Sequence, residues 1–262
     1  MNAEHETKSP LDRTGKLAWI TGASSGIGRA LALRLVRDGW RVAASARNVE
    51  ALDDLVREAP DRIASYPLDI TDPEAVKALT QAITTVMGPI DLAVLCAGTY
   101  ARDSASHFDS RQLAGMVELN IMGTAYCLEA MIGNMVGRGS GHIAVVSSVS
   151  GYVGLPGAAH YGATKAALIN MCEALYPELE AKGVRLSLVN PGFVETPLTA
   201  RNDFPMPFLI TADEAADHIA RGLASGRFEI AFPWKMVLSL KILRLLPHRL
   251  RFALTRRMLR KD

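Results

Sequence analysis

Short apolar runs alternate along the chain with longer stretches whose apolar positions recur at helical spacing. KLAWIT (16–21) reads as a first strand and runs into a glycine-rich turn. IGRALALRLVRDG (27–39) has helical spacing and a glycine stop at Gly39. RVAASA (41–46) predicts a second strand, and VEALDDLVREA (49–59) an amphipathic helix ending before Pro60. The third strand lies within IASYPLDI (63–70). DPEAVKALTQAITTVMG (72–88) opens with an N-cap aspartate, Asp72, and a proline at the first helical position. There follow a strand at 91–98, a long helical region over about 109–136, a strand at 142–148, a helix at 161–183, a strand at 184–192, a helix at 212–226 and a short last strand at 228–232.

Strands this apolar cannot face water on either side. The alternation therefore predicts an α/β fold, a doubly wound (Rossmann-type), mainly parallel sheet of about seven strands with helices on both faces. No linker breaks the pattern. One domain is expected over 15–232, after a loose tail over 1–14 and before an extension over 233–262. Ligands in such folds sit at the C-terminal ends of strands. The glycine turn, CAG (96–98), VSSVSG (146–151) and NPG (190–192) all fall there.

Composition narrows the class. A chain of 262 residues, 49% apolar and 21% charged, is long enough for one large core. A net charge of +2 gives no overall field that would draw nucleic acid, and none is expected as a partner. Cys96, Cys127 and Cys172 are widely spaced in apolar contexts, which argues against a disulfide framework or a zinc site. His142 and His160 lack metal-ligand companions, so no metal is expected. The polar start has no apolar h-region, and a cytoplasmic location is expected. The charge is uneven, however. From Lys235 onward nine basic side chains stand against Asp262 alone.

TGASSGIG (21–28) joins the first strand to the first helix. Its glycines let the backbone turn tightly and approach a ligand, and the helix start offers free N–H groups to a phosphate. The P-loop lysine is missing, so a dinucleotide is the better reading than a nucleoside triphosphate. Gly22, Ser24, Ser25, Gly26, Ile27 and Gly28 are the candidate contacts. The position ending the second strand, where an acid would grip the ribose hydroxyls of NAD, is Ala46, followed by Arg47. An arginine there suits a 2′-phosphate, hence NADP(H) ahead of NAD(H). Asp69 and Ile70, ending the third strand, are candidates for the adenine end; Asp69 equally suits a helix-entry cap, as does Asp72.

YGATK (161–165) places Tyr161 and Lys165 four apart on one helical face. Such a pair is ordinary on a helix surface. A fixed ammonium also stabilises a phenolate, and would let the tyrosine exchange a proton near neutral pH.

TGASSGIG, CAG, LNIMG, VSSVSG, YGATK and NPGFVET, in this order and spacing, resemble the short-chain dehydrogenases/reductases from about Lys16 to Thr196, and more loosely to Phe232. The resemblance implies an oxidoreductase that moves a hydride between a nicotinamide cofactor and a carbonyl or alcohol. It implies that Tyr161 is the acid/base, that Lys165 lowers its pKa and binds the nicotinamide ribose, and that Ser148, ahead of Ser147, bonds the substrate oxygen. Asn120 would hold a water that relays protons through Lys165. Ala97 and Gly98, then Pro191, Gly192, Val194 and Thr196, would line the cofactor path. A homodimer or homotetramer is implied. One departure is Leu95-Cys96-Ala97-Gly98, where the family often has two asparagines before Ala-Gly. Cys96 reads as a small buried residue rather than a nucleophile.

Two other readings stand beside the enzyme: a nucleotide-binding regulator without turnover, and a module that uses the basic extension on a membrane. The segment 194–211 is expected to cover the pocket, with Phe204, Met206, Phe208 and Leu209 either as an apolar lid over a hydrophobic substrate or as part of the core. The extension is too short and too charged to span a bilayer. It is expected either to pack on the body or a sister subunit, or to make a peripheral contact with an anionic membrane at its inner face.

Overall fold

The computed structural model describes residues 14–259. The expected tail over 1–14, Thr14 excepted, and the last three residues of the extension lie outside the described residues.

Seven strands form one parallel sheet: β1 (Leu17–Thr21), β2 (Arg41–Ser45), β3 (Ile63–Ser65), β4 (Leu92–Leu95), β5 (Gly141–Val146), β6 (Val184–Pro191) and β7 (Glu229–Phe232). Their order is β3-β2-β1-β4-β5-β6-β7. The chain winds outward one way from β1 and the other way from β4, so the β1/β4 boundary is a topological switch point.

Strand periodicity divides the core. In β1, Leu17 and Trp19 point to one face, Ala18 and Ile20 to the other, and all four are buried. The Ala18 face is covered by α1 (Gly26–Arg37), α2 (Val49–Glu58) and α7 (Ala212–Ala224). The Trp19 face is covered by α3 (Pro73–Met87), α5 (Gly123–Arg138), α6 (Ala159–Ala181) and α8 (Trp234–Leu245). α8 thus belongs to the main core through Met236, Leu240 and Leu243. It is followed by Pro247 and by α9 (His248–Thr255).

Asp72 caps α3 by accepting from Ala75 N at 3.0 Å, with Pro73 in the first turn. The long helical region expected over about 109–136 consists of α4 (Ser110–Met116) and α5, joined by a π-helical turn over Val117–Met122. A wider turn re-aims the side chains within it. The residue it re-aims is Asn120, and Thr124 Oγ1 donates to the Asn120 carbonyl at 2.8 Å.

Candidate active site

A cleft of about 590 Å³ opens at the C-terminal edge of the sheet over the switch point. Every residue singled out above for catalysis or cofactor contact lines it except Asn120, which is buried behind Gly98.

At one end the chain leaves β1 and turns into α1. Gly22 has φ +71°, and a Cβ there would come within 2.9 Å of the Ala97 backbone. A Cβ on Gly28 would meet the Gly22 carbonyl at 2.3 Å. Only glycine lets the turn fold this closely. Ser25 caps α1 without a side-chain hydrogen bond, and the first turn carries no acid. Its N–H groups and positive dipole end therefore face the cleft, which fits a pyrophosphate.

Next to it, β2 ends at Ala46 and Arg47. The Arg47 side chain is 70% exposed, and its guanidinium lies 3.8 Å from Asp69 Oδ2. Asp69 Oδ1 accepts from Thr71 N at 3.0 Å and from Thr71 Oγ1 at 2.8 Å. The Thr71 N–H bond in particular holds its carboxyl below the usual range, outweighing burial. Asp69 thus ties down Thr71 in the loop before α3, while its second oxygen faces Arg47 at the cleft rim.

The other end is built from β4, β5 and α6. Thr21 Oγ1, at the tip of β1, accepts from Cys96 N at 3.1 Å and Ala97 N at 3.2 Å. This ties β1 to β4 in the very segment where the two family asparagines are missing. The Asn120 carboxamide accepts from Thr99 N at 2.8 Å and donates to Thr99 O at 3.0 Å and Thr164 Oγ1 at 3.1 Å. It braces the β4 loop against α6.

Ser147 and Ser148 divide their work. Ser147 Oγ donates to Lys165 O at 2.9 Å and fastens α6 to β5. Ser148 Oγ accepts from Ser150 N at 3.1 Å, makes a long contact, 3.4 Å, to Pro191 O and hydrogen-bonds the Tyr161 hydroxyl. Lys165 Nζ donates to Val146 O at 3.0 Å and lies 5.6 Å from the centre of the Tyr161 ring. Tyr100 packs edge-on against Tyr161, with centroids 5.2 Å apart.

Burial dominates the titration of this pair. It pushes the Tyr161 phenol up to about 12, with the Ser148 hydroxyl pulling against it. It brings Lys165 down to about 8. Loss of water is thus the largest influence on both groups. Burial likewise pushes the Cys96 thiol up to about 11, which leaves it a poor nucleophile.

Tyr161 and Lys165 sit in the first two turns of α6, whose own cap residue is Ala158 and supplies no side-chain bond. Asp103, from the loop after β4, does this instead. Its buried carboxylate accepts from Ala159 N at 3.1 Å and His160 N at 2.6 Å. His160 packs beside it, with Gln112 Oε1 3.2 Å from its Nδ1 and Phe108 edge-on. His142 bonds Ser187 Oγ at 2.9 Å, and no group of residues suited to a metal occurs among the described residues.

Over the cleft, the segment 194–211 is pinned at its base by Glu195 N donating to Ile210 O at 2.8 Å. Pro197, Leu198 and Thr199 line the cleft. The residues expected as the lid stand elsewhere. Phe204 packs on Phe193 and under Arg102, which pairs with Asp203 at 2.7 Å, while Phe208 and Leu209 are exposed. Thr21, Asp103 and Leu198 went unread in the sequence. Thr21 directly precedes the glycine turn and could have been noticed. Asp103 carries no local signal, since the helix it caps begins 56 residues later.

A family profile described as short chain dehydrogenase matches residues 16–204. An uncharacterized oxidoreductase of Myxococcus xanthus is 37% identical over 246 residues, covering 93% of this chain and 97% of its own. Among solved structures, a short chain dehydrogenase/reductase from Burkholderia phymatum in complex with NAD has a TM-score of 0.80 at 25% identity, covering 88% of this chain and 93% of its own. ElxO with NADP bound has a TM-score of 0.76 at 26% identity, covering 83% and 98% respectively.

Proposed function

The chain belongs to the short chain dehydrogenase family of oxidoreductases, and from that premise we propose that it interconverts a hydrophobic carbonyl compound and its alcohol, with NADP(H) preferred over NAD(H) and Tyr161 as acid and base. The observation that carries this reading is the meeting of Ser148, Tyr161 and Lys165 in the cleft whose far end is the glycine cradle.

A nicotinamide cofactor, when bound, supplies or accepts the hydride. The remaining work falls to the chain's own groups. Reduction leaves negative charge on the carbonyl oxygen, where Ser148 and Tyr161 offer two hydroxyl donors. A phenol held near 12 stays protonated at neutral pH and is ready to give its proton to that oxygen. The Lys165 ammonium then stabilises the phenolate left behind. In oxidation the same groups act in reverse. Tyr100 against Tyr161, with Pro197 and Leu198 above, supports an apolar substrate body.

Cofactor preference rests on Arg47. Its guanidinium, held near the rim by Asp69, can turn to a 2′-phosphate, and Ala46 offers no carboxylate to a ribose diol. The solved relatives include one with NADP and one with NAD. A charge-assisted contact is worth about 1.5–3 kcal/mol, or about ten- to a hundredfold in affinity. Titration should show NADPH binding tighter than NADH by that factor, with the gap lost in Arg47→Ala. Equal dissociation constants in the wild type, or an unchanged gap in the variant, would refute the preference. A cofactor-oxidation screen over acyl, steroid, retinoid and small ketones tests the substrate class.

A further inference from the structure

We propose that the outward face of α8 and α9 docks on an anionic membrane surface, in the plane of the bilayer.

The helix α8 has two apolar faces. Met236, Leu240 and Leu243 are buried in the core. Lys241 fastens the helix from one side by its ion pair with Glu229, which also accepts from Tyr152 OH at 2.5 Å and from Asn190 Nδ2 at 3.1 Å. On the opposite side Trp234, Leu238, Ile242 and Leu245 are 67%, 50%, 51% and 84% exposed. At about 100° per residue these four fall within an arc of about 80°. Leu250, Phe252, Leu254, Met258 and Leu259 are exposed as well, although at helical spacing Phe252 points away from Leu250 and Leu254. Nine of the fourteen exposed large apolar residues among those described thus lie between Trp234 and Leu259. So dense a patch calls for an occupant.

Charge says which one. Lys235, Arg244, Arg249, Arg256 and Arg257 are exposed, and no carboxylate among the described residues pairs with them. Lys235 lies over the Trp234 ring at 5.8 Å, and Arg251 over Phe252 at 5.7 Å. Each such pair joins an apolar body to a cationic tip, the form that suits a bilayer interface. A second copy is the poorer occupant. A two-fold contact would set this array against itself, like charge on like, with no acid in the patch to answer it. Nucleic acid would meet the arginines and leave the apolar stripe in water. A bilayer with anionic headgroups takes up both and demands no fixed shape. No helix among the described residues is long and apolar enough to cross a membrane, so the contact lies flat.

The docking face adjoins the cleft. A Cβ on Gly192, in the cleft wall, would strike Met236 Sδ at 2.7 Å and Pro233 Cδ at 2.9 Å. One helix thickness, about 10 Å, therefore separates the wall from the lipid. That this favours lipid-borne substrates rests on the function proposed above; the docking itself does not.

The test is flotation of the full chain with vesicles of neutral phosphatidylcholine, and with vesicles that also contain phosphatidylserine. Binding should require the anionic lipid and weaken as salt rises. Each basic side chain at such a surface is worth about fivefold. Arg249→Gln/Arg256→Gln/Arg257→Gln should therefore lower the partition about a hundredfold. Trp234→Ser/Leu238→Ser/Ile242→Ser should lower it at least tenfold. These side chains are exposed, so thermal midpoints should hold. Wild-type binding that is absent, or indifferent to lipid charge and salt, overturns the proposal without any variant. So does a dimer that light scattering finds in the wild type and that the serine variant dissolves, if vesicles bind neither. Vesicle partition needs no turnover, so its failure is distinct from a failure of the proposed activity.

Discussion

At the residue scale, the two groups of YGATK are shifted in opposite directions by one cause. Burial disfavours the charged form, so the phenol rises to about 12 and the ammonium falls to about 8. Tyr161→Phe should remove nearly all turnover and leave cofactor binding in place, as judged by single-turnover kinetics beside a cofactor titration. A variant that keeps a tenth of the wild-type kcat would show that the phenol is not the acid. Lys165 loses its proton as pH rises through about 8. The kcat/KM for carbonyl reduction, which reports groups of the free enzyme, should therefore be level near neutrality and decline above about pH 8. Lys165→Arg, whose cation does not titrate in this range, should move or erase that alkaline limb.

At the scale of elements, the site depends on how α6 is held. Its first turn has no cap of its own and borrows the Asp103 carboxylate from the β4 loop. Buried charge-assisted bonds of this kind contribute about 1.5–3 kcal/mol. Asp103→Ala should lower the thermal midpoint by several degrees, as expected at about 2–4 °C per kcal/mol in a chain of this size. It should also lower kcat more than it weakens cofactor binding, because the glycine cradle for the pyrophosphate hangs on α1 and α6 carries only the contact to the nicotinamide ribose. Stability loss with kcat intact would make Asp103 a structural cap alone. The π-turn before α5 belongs to the same scale. It aims the Asn120 carboxamide at both Thr99 and Thr164, and the helical periodicity of 109–136 gives no sign of it.

For the whole molecule, acid is the weak side. His142 is buried between β5 and its neighbours, where desolvation, helped by Arg185, brings its pKa down to about 4. Between about 4 and 6.5 the unfolded chain binds a proton that the folded chain refuses. Stability from this residue is therefore complete above pH 6.5 and is lost as pH falls toward 4. The loss should reach about 2–3 kcal/mol by pH 4.5. Urea unfolding at pH 7 and pH 4.5, in wild type and His142→Asn, would measure it. An equal decline in both proteins would assign the acid sensitivity to other groups.

The sequence by itself determined the order of strands and helices, the parallel sheet and the residues that line the cleft at the strand ends, because these rest on short-range patterns. Period-two burial, helical spacing, glycine turns and a tyrosine four residues from a lysine are all local. The caps at Asp72 and the helix break at Pro247 belong to the same class. Contacts between distant segments were decided by the tertiary structure alone. Asp103 caps a helix that begins 56 residues later, and Thr21 reaches across to Cys96 and Ala97. The apolar residues 204–209 looked like a lid, yet Leu198 and Thr199 line the cleft. Within the extension, α8 has an inner face, Met236, Leu240 and Leu243, and an outer one. Hydrophobicity along a chain states that a side chain leaves water. Which surface receives it is fixed only when the sheet has assembled and each face has found what covers it.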